Sequence, residues 1–107
     1  MAYQERNAAA CDIAARIDWL SRERRQVAPR HLMRELRTIR GLSQVAELRA
    51  VAGLAHALES ELLARGDEAP IQAYLDRMQD AVEVVADDQP RFIELALATL
   101  GTRMALA

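Results

Sequence analysis

The chain has 107 residues, 51% of them hydrophobic and 28% charged, with a formal net charge of -2. Its single cysteine, Cys11, excludes an intramolecular disulfide, and its 4% aromatic content argues against a β fold, which favours aromatic and β-branched residues. No apolar run reaches the roughly 18 residues of a membrane span, and the opening Met-Ala-Tyr-Gln-Glu-Arg lacks the apolar stretch of a secretory leader, so a soluble, cytoplasmic, single-domain protein over residues 1–107 is expected.

Five helical segments follow from periodicity. The first spans about residues 2–25, with Ala10, Ile13, Ile17 and Leu20 on one face and an Arg-rich end at Arg22, Arg24 and Arg25. The second opens at Pro29, a favoured first-turn residue, and runs to about Val45 with Leu32, Met33, Leu36 and Ile39 inward. The third, about residues 48–65, repeats Leu48, Val51, Ala55, Leu58 and Leu62 at steps of three and four, an unbroken bundle seam. Gly66-Asp67 marks its stop. The fourth begins near Pro70 and places Ile71, Leu75, Met78, Val82 and Val85 on one seam. Asp87-Asp88-Gln89-Pro90 is the next break, and the last helix, about residues 91–104, carries Phe92, Ile93, Leu97 and Leu100. Short connections join antiparallel neighbours. The expected fold is all-α, an up-and-down antiparallel bundle of four main helices plus one extra.

Charge is distributed unevenly along the chain. Residues 1–50 hold ten arginines against six acids, and residues 51–107 hold four against ten. A basic half can serve an acidic partner, or the two halves can pack together and partly neutralise each other. On the second helix, at about 100° per residue, Arg30, Arg34 and Arg37 follow i, i+4, i+7 opposite the apolar face. Arg40 lies at the margin of this stripe, and Gly41 also falls on the exposed side. A mid-helix glycine costs roughly 1 kcal/mol against alanine. It either begins to end the helix or admits a close partner.

The run Arg37-Thr38-Ile39-Arg40-Gly41 resembles the His-Thr-Leu-Lys-Gly-like motif of histidine phosphotransfer (HPt) domains, matching four of five positions in kind. Leu54-Ala-His-Ala-Leu-Glu59 is similar to the helix after that motif in chemotaxis-kinase phosphotransfer domains. The resemblance covers roughly residues 10–90. It departs at the acceptor, where Arg37 replaces histidine, and at Glu47, where the family often has glycine. A guanidinium stays protonated, with five donors and no acceptor, so Arg37 cannot take a phosphoryl group as a neutral imidazole does. The resemblance therefore implies an HPt-like protein without phosphotransfer chemistry. Such a protein would bind a response-regulator receiver domain or a histidine kinase through Arg30, Arg34, Arg37, Arg40 and Gly41. No enzyme activity, cofactor or metal is expected.

Two alternatives stay in view. His56 could serve as a substitute acceptor, but Glu59 and Ser60 stand where a basic residue and glycine would be needed; His31 lacks the flanking pattern altogether. Arg40-Gly41-Leu42-Ser43-Gln44 also looks like the opening of a repressor-type helix-turn-helix. Its continuation fails: Gly53 is one place late, and Ala55 to Leu62 is apolar and acidic, with no Arg, Asn, Gln or Lys to read base edges. Nucleic acid is accordingly not the expected partner. Glu59 and Glu61 fall on different helix faces and make no acid–base pair, and Cys11 is expected to be a buried small hydrophobe.

Overall fold

Short apolar repeats bounded by Pro29, Gly66, Pro70 and Pro90 produce five helices. The computed structural model describes the backbone of residues 3–106 and the side chains of residues 8–101. The helices are α1 (Tyr3–Glu23), α2 (Pro29–Val45), α3 (Arg49–Arg65), α4 (Ile71–Val82) and α5 (Gln89–Leu106), with single 3₁₀ turns at Gly66–Glu68 and Ala86–Asp88. Among the described residues no helix is long and apolar enough to cross a membrane.

Helices α1 to α4 touch in a closed ring, α1 on α2, α2 on α3, α3 on α4 and α4 on α1, while α5 packs outside the ring on α3 and α4. Side-chain contacts give the directions. Arg16 meets Glu35 between α1 and α2, and Arg40 meets His56 between α2 and α3. Gln79 reaches the Ala14 carbonyl between α4 and α1. A second contact in each pair, Trp19 on His31, Arg37 on Glu59 and Gln72 on Ser21, shows residue numbers rising on one helix as they fall on its neighbour, so these pairs are antiparallel. Helix α5 instead runs parallel to α3: Gln89 lies at Ala50 and Ile93 at Gly53.

One hydrophobic cluster joins all five helices, with Ile13, Ile17 and Leu20 from α1, Leu36 and Ile39 from α2, Leu54 and Leu58 from α3, Leu75 and Met78 from α4, and Ala96 and Leu100 from α5. Each large side chain fully withdrawn from water contributes about 1.5–3 kcal/mol before chain entropy is counted. Gly53 gives room to the Ile93 side chain of α5, whose Cδ1 would meet a Cβ at that position.

Between α2 and α3 the chain reverses in a Schellman arrangement. Leu48 N–H donates to the Ser43 carbonyl at 2.8 Å and Glu47 N–H to the Gln44 carbonyl at 3.2 Å, the bonds that satisfy the last carbonyls of a helix. The motif requires a left-handed residue, and Glu47 fills that place with φ 62°. Glycine would adopt it without strain; a Cβ-bearing residue costs about 1 kcal/mol.

Four expectations about individual side chains change. Val85 is exposed instead of continuing the α4 seam, because that helix ends at Val82. The chain there tightens into i→i−3 bonds, Glu83 N–H to Asp80 and Val84 N–H to Ala81. Leu97 is exposed, since α5 turns Ala96 and Leu100 inward. Met33 is only half-buried at the edge of the α2 face. Cys11 is exposed, one position outside the row of Ala10, Ile13 and Ile17.

Candidate partner-binding surface on α2 and α3

The antiparallel pairing of α2 and α3 determines which polar side chains meet. Leu36 and Ile39 are fully buried, which turns Arg37 toward solvent in the middle of α2 and leaves Arg40 half-buried at the seam. Solvent exposure is expected for both from the sequence, with Arg40 at the margin of the stripe; Arg37 meets it and Arg40 only in part. From α3, Glu59 reaches the same seam with its side chain only 7% exposed. Its two oxygens face different cations: Arg37 Nε is 3.4 Å from Oε1 and Arg40 Nε is 3.3 Å from Oε2. A carboxylate this deeply placed loses much of its hydration, which is costly unless opposite charge compensates. Two guanidiniums supply that charge. The fit is incomplete, because Oε2 accepts no hydrogen bond.

Arg40 also donates from Nη1 to His56 Nδ1 at 3.1 Å. A guanidinium cannot accept a hydrogen bond, so Nδ1 must be the acceptor and the ring proton sits on Nε2. In this arrangement His56 has no free ring lone pair to attack a phosphoryl group. Arg40 thus holds both polar groups that α3 presents to α2.

The remaining residues of the expected stripe lie along α2. Arg30 and Arg34 are exposed and form no ion pair among the described residues. Gly41 is exposed, with nothing within 4 Å of the position a Cβ would occupy. It continues α2 instead of ending it, since the helix runs on to Val45. The surface therefore presents four guanidiniums against one carboxylate, beside a bare backbone position.

His31 does not join this surface. It sits at the α1–α2 seam, where its ring lies 6.2 Å from that of Trp19 and its Nε2 3.9 Å from Glu35. The repressor-like segment also has a different geometry from its namesake. Arg37 lies opposite Glu59 and Arg40 opposite His56, so α2 and α3 run side by side, whereas the helices of a helix-turn-helix cross at about 90–120°. Ser43 is fully buried, out of reach of any groove. Among the described residues no group of His, Cys, Asp and Glu could hold a metal ion.

No protein-family model, no curated protein and no solved structure matches this sequence.

Proposed function

We propose that this protein is an HPt-like bundle in two-component signalling that has lost its phosphoacceptor and binds a response-regulator receiver domain without accepting phosphate. The observation that carries this reading is the setting of Arg37, an exposed mid-helix residue across from buried Glu59 with open Gly41 one turn on. It supports the reading because the resemblance puts the family's exposed histidine at this position, here occupied by a cation. A receiver's phosphorylation pocket is acidic, because its aspartates hold magnesium and take the phosphoryl group. Arg30, Arg34 and Arg37 offer it complementary charge, and Gly41 offers close approach. Such a protein competes with phosphotransfer proteins for a receiver or tethers one. A histidine kinase is the other partner class compatible with this surface, and a cytoplasmic location follows from the reading.

Two measurements test it. Incubation with a phosphorylated receiver, or with an active kinase and ATP, leaves no acid-labile phosphate on this chain; label on His56 would overturn the non-acceptor assignment. Titration with receiver domains gives saturable binding that weakens as salt rises, since exposed charges are screened over about 8 Å at physiological ionic strength. Absence of binding to any receiver or kinase from the same cell would remove the signalling reading.

A further inference from the structure

Beside the Arg37 surface, toward the turn that connects α2 and α3, lies an open cleft of about 570 Å³. Its described lining is Arg40, Gln44, Arg49, Ala52, Gly53 and His56, which brings two guanidiniums, one imidazole and one carboxamide to a floor of small residues. No carboxylate appears among these residues. We infer that this cleft is a binding site for a phosphoryl group, either inorganic phosphate or a phosphate monoester.

Three features support the assignment. Arg40 is held in place by Glu59 and His56, so one wall of the cleft is organised before any ligand arrives. The Arg40 bond to Nδ1 leaves His56 carrying its proton on Nε2, which makes the ring a hydrogen-bond donor. Arg49 forms no ion pair among the described residues and stands in the first turn of α3, which contains no acid. A cation there opposes the helix dipole, which favours negative charge at that end. A bound anion removes the conflict. Local choices that violate such preferences without compensation concentrate at functional sites. A phosphoryl group offers several acceptor oxygens, enough to meet donors from both walls at once, whereas a carboxylate offers only two. Planar guanidiniums are the side chains best suited to it.

This inference is independent of receiver binding. It is tested by titrating ¹⁵N-labelled protein with inorganic phosphate, phenyl phosphate and acetate at constant ionic strength, following the amides of Ala52 and Gly53 and the His56 ring nitrogens. Saturable shifts at these positions are expected with both phosphates, and weaker ones with acetate. Tighter binding of phenyl phosphate than of inorganic phosphate assigns the site to a monoester; equal binding assigns it to phosphate itself. Arg49→Ala removes an exposed side chain and lowers phosphate affinity by about tenfold or more, the loss expected for a charge-assisted hydrogen bond. Arg25→Ala removes the same charge from an exposed position in the α1–α2 connection, outside the cleft, and leaves affinity unchanged. Equal weakening by the two variants, or shifts that stay linear in phosphate concentration, would reduce the effect to general charge screening and overturn the site.

Discussion

Two buried polar side chains, Gln89 at the start of α3 and Glu59 in its second half, are treated very differently. Gln89 is fully buried and fully satisfied. Its Oε1 accepts from Ala50 N–H at 2.7 Å, and its Nε2 donates to the carbonyls of Ala81 at 2.7 Å and Val84 at 2.8 Å. One neutral amide thereby caps the start of α3 and the end of α4 from the first residue of α5, supplying partners that both helix ends lack locally. Glu59 is charged, sits at the rim, and pairs with Arg37 and Arg40 through contacts of 3.4 and 3.3 Å that leave Oε2 without a hydrogen bond. A network with every group paired specifies architecture. A charge paired with a 62%-exposed arginine leaves that arginine room to turn toward a partner. The contrast separates the part of α3 that holds the bundle together from the part proposed for partner binding.

Substitutions sharpen this contrast, and Gln89→Ala has the largest expected effect. It strands one N–H and two carbonyls, each costing about 1–3 kcal/mol when buried without a partner. A loss of about 3 kcal/mol or more in urea unfolding is expected, and a loss under about 1 kcal/mol would show that water replaces the amide. Glu59→Ala removes a buried charge together with its compensation, leaving Arg37 and Arg40 free to extend into solvent. The expected destabilisation is about 1 kcal/mol, near the average for a point substitution, and binding of an acidic receiver strengthens because Arg37 and Arg40 lose the carboxylate that faces them. Weaker receiver binding would mean that Glu59 positions the arginines. Glu47→Gly works in the opposite direction. It relieves the left-handed strain and raises stability by about 0.5–1 kcal/mol, visible as a higher Tm; a lower Tm would mean that the Glu47 side chain contributes more than its backbone costs.

Much of the fold was readable from steps of three and four in α2, α3 and α4, because apolar rows on a helix leave little choice of inward face. The misjudged positions are ones where a tertiary contact decides. Val85 continues a perfect row, yet Gln89 captures the carbonyls of Ala81 and Val84 and the helix stops short. Leu97 and Ala96 are neighbours in sequence, and the choice between them depends on how α5 seats against Gly53. Exposure of Arg37 and burial of Leu36 and Ile39 were legible from the same periodicity. The role of Glu59 was not, although a signal existed: once the chain reverses near residues 46–48, antiparallel pairing sets residue 59 opposite residue 37. Read along its own helix, Glu59 is set beside Glu61 and His56; its partners lie on the facing helix. The left-handed turn is the reverse case. The glycine that the HPt resemblance implies is missing, but Glu47 adopts the conformation that glycine would have taken.

The most direct test of the account is a calorimetric titration of a receiver domain into the wild-type protein and into Arg37→Glu. The substitution sits on an exposed, mid-helix position but removes one of the two cations paired with Glu59 and sets a like charge beside it, so a loss of about 1–3 kcal/mol is expected, and the titration is read on variant protein shown by circular dichroism to be folded. Placing a like charge against an acidic pocket should cost several kcal/mol of binding if the contact is central, enough to abolish measurable association. A folded Arg37→Glu protein that no longer binds the receiver is the predicted result. Unchanged receiver affinity in that variant would contradict the assignment of the α2 arginine surface as the binding site.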